Sequence, residues 1–238
     1  MAFQEMESFP GGFAIAHPVQ GPQPESLTRQ RRDSSLYARY GKRLLDLGIA
    51  VLLLPVLLPV MAVIALLIRL DGHPALFVQL RVGRDGKLFR CYKFRSMVPD
   101  AERVLADMCA RMPSVAAEWV TYQKLAKDPR ITRVGKILRR TSLDELPQIF
   151  NVLKGDMSLV GPRPFLPAQK AIYDEAGGRA YYRLRPGVTG LWQVFSRCDT
   201  TFGSRIRFDE AYAANMSARG DLALILRTAG VVLTRTGA

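Results

Sequence analysis

Residues 47–68 read LGIAVLLLPVLLPVMAVIALLI and contain no charged side chain. At a rise of about 1.5 Å per residue, a straight helix of this length just crosses a hydrocarbon core of about 30 Å, so the stretch can lie in a membrane. Pro55 and Pro59 each remove a backbone donor and crowd the preceding turn, so we expect a bend at both. No face of the stretch is polar, which disfavours the buried core helix of a soluble protein.

Basic residues flank the apolar stretch on both sides. They are Arg39, Lys42 and Arg43 before it, and Arg69, Arg81, Arg84 and Lys87 after it. Because basic flanks favour the cytoplasmic side of a membrane, both ends qualify for the same side. We therefore predict a re-entrant helix hairpin over residues 36–72, which enters the membrane, bends at the prolines and returns. A helix that spans the membrane is the alternative.

The rest of the chain divides into a tail and a globular domain. Residues 1–35 are rich in Pro, Gly, Gln and Ser, which predicts a disordered cytoplasmic tail. Residues 73–238 predict an α+β domain that is mainly helical, with one small β element around the turn signals at Gly83 and Asp85-Gly86. Helical patterns cover residues 100–125, 131–153 and 206–233, with breaks near Met112-Pro113 and Gly220-Asp221.

The formal net charge of the chain is +13. Such a charge favours anionic partners, namely nucleic acid, acidic lipid or a phosphorylated small molecule, although a merely soluble basic surface is the alternative. No recognised nucleic-acid-binding motif occurs, so we expect no nucleic-acid partner. Cys91, Cys109 and Cys198 are widely spaced, which disfavours a structural zinc site.

Residues 139–147 read RRTSLDELP and place two adjacent carboxylates next to basic side chains. Ser142 followed by Glu145 matches a capping box, which predicts that Asp144 and Glu145 lie in the first turn of a helix. That end of a helix favours ionised carboxylates and attracts phosphate, as covalent phosphoryl catalysis requires. Neighbours on a helix point about 100° apart, so we expect one nucleophile and one metal contact. A plain capping box without chemistry is the alternative.

Further basic side chains are candidates for anion binding. Those that precede the pair are Lys127, Arg130, Arg133, Lys136, Arg139 and Arg140. With an opposed apolar stripe they predict an amphipathic interfacial helix on an anionic bilayer. Two prolines stiffen the loop around Arg163 and orient its guanidinium, while Lys93 and Arg95 share one face of a strand. The plain alternatives are a solvated helix face, a surface arginine in a turn and a solvated strand face.

The ordered motifs of the chain resemble the bacterial sugar transferases that start exopolysaccharide and glycoconjugate assembly, the small monotopic phosphoglycosyl transferases. They are KRLLDLGIAVLLLPVLLPVMAVIALLIRLD, RVGRDGKLFRCYKFRSM, KDPRITRVGKILRRTSLDELPQIFNVLKGDMSLVGPRP, LRPGVTGLWQV and FDEAYAANMSARGDLALILRT. The block from LDELPQ to GPRP is the most specific, and the tail is not covered.

The resemblance implies that residues 73–238 form a catalytic domain at the cytoplasmic face of the bacterial inner membrane. It implies transfer of a sugar 1-phosphate from a UDP-sugar to undecaprenyl phosphate, with release of UMP. It also implies Mg²⁺ as the cofactor and anionic membrane lipid as a partner, and a homodimer is compatible with it. A non-catalytic basic scaffold that recruits polysaccharide-synthesis proteins would explain the helix and the charge, but not the carboxylate pair followed by GPRP.

The family roles transfer to this chain residue by residue. Asp144 matches the nucleophile that forms a covalent sugar-phosphate intermediate, and Glu145 matches the residue that helps to hold Mg²⁺. Lys93 and Arg163 match phosphate-binding positions, and Arg139 matches a basic position of the active site.

Four other positions carry expectations of their own. Asp209 matches a late acidic family position, and Arg197, in a Phe-Ser-Arg sequence where the family often has Asn-Gly-Arg, is expected to face the nucleotide or sugar. At the membrane bend the family often has Ser-Pro, whereas here Leu58 precedes Pro59 and Pro55 adds a second break. We therefore expect a bend of different shape.

Overall fold

The computed structural model describes residues 7–9, 13–15, 36–122, 125–195 and 205–233. Over these ranges the chain is mainly helical and carries three two-stranded sheets, which confirms the predicted α+β class. The first sheet pairs β1 (Glu7–Phe9) with β2 (Phe13–Ile15) in antiparallel fashion. Both strands lie within residues 1–35, for which the disordered cytoplasmic tail stays a prediction. The other tail residues lie outside the described part of the chain.

Helix α1 (Lys42–Arg69) contains the apolar stretch and follows one π-helical turn, Tyr37–Gly41. It continues through Pro55 and Pro59 without a break. Only 17% of its most apolar 18-residue segment is buried, whereas the core helix of a soluble protein is mostly buried. Among the described residues it is the one helix long and apolar enough to cross a membrane. The re-entrant course stays a prediction.

The first turns of α1 are fixed to the globular domain by buried charges. Lys42 forms ion pairs of 2.9 Å with both Asp46 and Asp221, and the two aspartates are 2% and 0% exposed. Asp46 also accepts a hydrogen bond of 2.7 Å from Ser158 Oγ. These contacts hold the start of α1 against the centre of the domain.

The end of α1 leads directly into a β-hairpin. Arg95 donates to the carbonyl of Ile68 at 3.4 Å and pairs with Asp71, just beyond the helix. The hairpin pairs β3 (Leu76–Val82) with β4 (Leu88–Phe94), antiparallel, as predicted. Both ends of α1 therefore contact the same domain.

The remaining helices are short. They are α2 (Ala101–Arg111), α3 (Pro113–Tyr122), α4 (Arg133–Arg140), α5 (Gln148–Lys154), α6 (Lys170–Glu175), α7 (Ala180–Arg183), α8 (Leu191–Phe195), α9 (Arg205–Asn215) and α10 (Ala218–Leu233). The break predicted near Met112 is confirmed. The break predicted near Gly220 lies earlier, because Ser217 Oγ accepts the Gly220 N–H at 3.2 Å and so starts α10.

A short parallel sheet lies at the centre of the domain. It pairs β5 (Ser158–Val160) with β6 (Gly187–Thr189), and β5 contacts α1, α5 and α10. All three residues of β5 are buried. The loop that carries GPRP leaves this fixed strand at Gly161.

Candidate active site

Asp144 and Glu145 lie on one 3-10 turn, Leu143–Glu145, between α4 and α5. The predicted capping box is wrong, because Ser142 has a left-handed backbone with φ 56° and its side chain makes no capping hydrogen bond. Its N–H donates to a carbonyl in the last turn of α4 at 3.2 Å, and its carbonyl accepts the Glu145 N–H at 3.2 Å, so Ser142 ends α4 and starts the 3-10 turn. Helix α5 begins only after Pro147.

Glu145 is the centre of an ion-pair cluster. Its Oε1 lies 2.7 Å from Lys93 Nζ on β4 and 3.0 Å from Arg163 Nη2 in the GPRP loop. Burial by itself would raise the pKa of Glu145, but the charges of Arg163 and Lys93 outweigh it and hold that pKa well below its usual range. The structure thus brings two predicted cations, Lys93 and Arg163, to the ionised carboxylate of a third predicted site residue, Glu145.

Asp144 is in a different electrostatic state from its neighbour. It is 9% exposed, and burial raises its pKa above the usual range. The charges of Lys93 and Arg139 act in the opposite direction but do not cancel this effect. Asp144 is therefore a carboxylate whose negative charge is poorly stabilised, beside one whose charge is well stabilised.

Asn151 fixes the strand that presents Lys93. This fully buried side chain on α5 donates to the carbonyl of Arg90 at 2.7 Å and accepts from the N–H of Tyr92 at 3.0 Å. It thereby hydrogen-bonds β4 to the helix that follows the carboxylate pair. Sequence reasoning missed it, because an Asn inside a helix carries no pattern of its own.

The loop that presents Arg163 is supported from behind. A Cβ on Gly161 would lie only 2.4 Å from the carbonyl of Arg185, so the loop needs glycine there. Arg205 donates to the carbonyl of Arg163 and lies 3.7 Å from Asp209, which also accepts from Tyr173 Oη at 3.0 Å. Burial raises the pKa of Asp209 to about 6. The structure therefore places Asp209 behind Arg163, not in the cluster around Glu145.

Two other predicted residues, Arg139 and Arg95, are not in the cluster around Glu145. Arg139 donates to Ser96 Oγ at 2.9 Å, and α4 packs so closely here that a Cβ on Gly135 would lie 2.0 Å from the Ser96 carbonyl. Arg95 binds the end of α1, because it follows the last residue of β4 and so leaves the strand face of Lys93. Arg197 lies outside the described residues.

A small cavity lies beside Lys93, Glu145 and Arg163. Arg81 and Gln148 also line it, and sequence reasoning did not predict either of them as a site residue. In the hairpin, Phe77 pairs with Lys93 and Arg81 pairs with Phe89, so both basic side chains are on the same face. The alternation of side chains along each strand could have placed Arg81 beside Lys93, but only once the register between the two strands was known.

The carboxylate pair also bears on metal binding. Among the described residues no group of three or more His, Cys, Asp or Glu side chains could hold a metal ion. Mg²⁺ commonly uses one or two carboxylates together with substrate phosphates, so the adjacent carboxylates of Asp144 and Glu145 fit that ion.

The family model for bacterial sugar transferases matches residues 37–235. The chain belongs to the bacterial sugar transferase family. The predicted family is thereby confirmed, and the matched residues include the apolar helix α1 as well as the cluster around Glu145.

Three relatives show the range of this family. The undecaprenyl-phosphate galactose phosphotransferase of Salmonella typhimurium is 47% identical over 202 residues, which are 84% of this chain and 42% of the relative. The exopolysaccharide production protein ExoY of Sinorhizobium fredii is 41% identical over 197 residues, 82% of this chain and 87% of ExoY. The undecaprenyl-phosphate glucose phosphotransferase of Komagataeibacter xylinus is 43% identical over 184 residues, 74% of this chain and 32% of the relative. This sugar transferase thus spans less than half of the first and third relatives, but most of the second.

Proposed function

We propose that this sugar transferase moves a sugar 1-phosphate from a UDP-sugar to undecaprenyl phosphate and releases UMP. The observation that carries the proposal is a buried Asp144 beside a Glu145 that is held by Lys93 and Arg163. Two relatives are named undecaprenyl-phosphate galactose and glucose phosphotransferases. Because the two names specify different sugars, we propose only a UDP-sugar as the donor and do not assign the sugar.

In the first half-reaction, a carboxylate oxygen of Asp144 attacks the β-phosphorus of the UDP-sugar. A bond forms between the two, the bond from phosphorus to the oxygen shared with the α-phosphate breaks, and UMP leaves with the electron pair. The poorly stabilised charge of Asp144 favours this attack, because the carboxylate loses its charge when the bond forms. The attack needs the ionised form, so activity falls as the pH drops through the raised pKa of Asp144.

In the second half-reaction, a phosphate oxygen of undecaprenyl phosphate attacks the same phosphorus. The bond to Asp144 breaks, the carboxylate leaves with the electron pair, and undecaprenyl-diphosphate-sugar forms. The exposed apolar residues of α1 give the lipid chain of the acceptor a surface beside the globular domain, for example Leu52 and Leu66 at 75% and 65% exposure.

Lys93 and Arg163 hold the phosphates of the donor. In the structure both cations bind Glu145, which keeps them together and oriented before the substrate arrives. Phosphate oxygens then compete with the glutamate for the same donors. Mg²⁺ held by Glu145, with Asp144 beside it, would offset negative charge on the diphosphate.

We further propose that α1 is re-entrant and that the enzyme works at the cytoplasmic face of the bacterial inner membrane. If straight, a helix of 28 residues would be about 42 Å long and its ends would reach opposite sides of a membrane. The contacts of Lys42 with Asp221 and of Asp46 with Ser158 at one end, and of Arg95 with Ile68 at the other, support a course in which both ends stay on one side.

The test is UMP release from a panel of UDP-sugars, in membranes that contain undecaprenyl phosphate and Mg²⁺. Wild type should release UMP with at least one donor, and Asp144→Asn should abolish it. Asp107→Asn is the matched control, because Asp107 is an exposed residue of α2, and it should keep wild-type release. No release by well-folded wild type with any donor would favour the non-catalytic scaffold.

A further inference from the structure

A second cavity, of about 270 Å³, lies beside the first turns of α1. It shares no lining residue with the cavity at Glu145. Four arginines from three separate parts of the chain line it. They are Arg39 before α1, Arg84 in the turn between β3 and β4, and Arg183 and Arg185 at and after the end of α7. The proposed sugar transfer uses none of them.

The charge inside this cavity is unbalanced. Of the described residues that line it, only Asp46 is acidic, and that carboxylate is already paired with Lys42 at 2.9 Å. Arg84 and Arg183 form only long ion pairs, of 3.8 and 3.6 Å, and their side chains are 51% and 70% exposed. Such pairs neutralise little charge, so the cavity concentrates a positive field.

Arg185, which also lines the cavity, experiences the same positive charge. Its Nε donates to the carbonyl of Gly155 at 2.9 Å, which fixes the guanidinium in place. Burial, and then the positive charges of Arg43 and Arg84, lower its pKa. An anion in the cavity would relieve this repulsion.

Exposed apolar side chains occur in the same stretch of chain that supplies Arg39 and Lys42 to the cavity. Leu36, Tyr40 and Leu44 flank Arg39 and Lys42 along the chain and are 70%, 56% and 70% exposed. When α1 lies in a bilayer, the cavity is therefore next to the region where headgroup phosphates lie.

We propose that this cavity binds a phosphate mono- or diester through Arg39, Arg84, Arg183 and Arg185. Guanidinium groups suit this ligand because their paired N–H donors match two phosphate oxygens. The volume accommodates a phosphate with a small headgroup, whereas larger ligands usually need about 300–1,000 Å³. The phosphate comes either from a membrane lipid or from a soluble phosphate. The site is separate from the proposed sugar transfer and does not depend on it.

The test uses the full chain in detergent micelles and two probes. Native mass spectrometry with added phosphatidylglycerol measures bound lipid, and a thermal-shift titration with inorganic phosphate measures the soluble ligand. The cavity variant is Arg84→Gln with Arg183→Gln, both exposed and therefore unimportant for packing. The control is Arg103→Gln with Arg111→Gln, two exposed arginines of α2 that give the same change in charge.

The cavity variant should weaken binding of one probe at least about tenfold, because it removes two charge-assisted contacts, while the control stays at the wild-type value. Selective loss of phosphatidylglycerol identifies a lipid phosphate, and selective loss of inorganic phosphate identifies a soluble one. Arg39→Gln, from another element, should weaken the same probe. Equal binding of both probes by the cavity and control variants would overturn the proposal.

Discussion

Asp144 and Glu145 are adjacent in the chain, but their surroundings shift their pKa values in opposite directions. Two cations lower the pKa of Glu145, whereas burial raises that of Asp144. Environments that separate two carboxylates in this way assign them different roles. In the proposed reaction Glu145 stays ionised and keeps Lys93 and Arg163 together, and Asp144 is the nucleophile.

The two amide substitutions should therefore differ in their effect on stability. Asp144→Asn removes a charge that burial disfavours, so the free energy of unfolding should stay the same or rise. Glu145→Gln leaves Lys93 and Arg163 without their counter-charge and should lower that free energy by about 3 kcal/mol. Denaturant unfolding in detergent at pH 7 checks both. A less stable Asp144→Asn than Glu145→Gln would contradict this assignment.

The sequence alone could predict which charged residues belong to the candidate site, but not all of the contacts between them. Lys93, Glu145 and Arg163 were predicted from local motifs, and the structure brings them into contact. Arg81 depended on strand register, and Arg95 was misplaced because it lies just past the end of β4. Strand register and strand ends depend on tertiary packing, which a local motif does not encode.

At the scale of elements, the site is held by contacts between strands, loops and helices. Asn151 joins α5 to β4 through two hydrogen bonds, and thereby sets the position of Lys93 relative to Glu145. Gly161 allows the GPRP loop to pass against Arg185. The predicted capping box is wrong, because the left-handed Ser142 makes no side-chain capping hydrogen bond to the 3-10 turn that follows it.

Asn151→Ala should be strongly destabilising and should also lower activity. It leaves the Arg90 carbonyl and the Tyr92 N–H without their partner, at a cost of about 2–4 kcal/mol. Asn215→Ala is the control, because Asn215 donates to the carbonyl of Ala211 within its own helix, and it should cost less than about 1 kcal/mol. Thermal unfolding together with UMP release measures both effects, and equal losses in the two variants would refute the role of Asn151.

At the scale of the whole molecule, one apolar helix begins and ends on the same globular domain. The composition of residues 47–68 predicted a membrane segment, and the exposed surface of α1 supports it. The helix continues through Pro55 and Pro59, and the bend that they predict stays a prediction. The ion pairs that fix the start of α1 to the rest of the protein could not be predicted from the sequence, because Lys42 and Asp221 are far apart along the chain.

Cysteine labelling should find both ends of α1 on the cytoplasmic side. In a background whose three cysteines are replaced by alanine, Ala38→Cys and His73→Cys place exposed reporters before and after the helix. Ser114→Cys, exposed on α3, is the control for the domain. An impermeant maleimide should label all three in inverted vesicles and none in intact cells. Labelling of Ala38→Cys or His73→Cys alone in intact cells would mean that α1 spans the membrane.

The most direct test of the central claim is the intact mass of the protein after incubation with a UDP-sugar donor but without the lipid acceptor. Wild type should gain the mass of one sugar phosphate, a peptide containing Asp144 should carry it, and added undecaprenyl phosphate should remove it. Asp144→Asn should gain no mass under the same conditions. An adduct on Asp144→Asn, or UMP release by wild type without any adduct on Asp144, would contradict the covalent role of this residue.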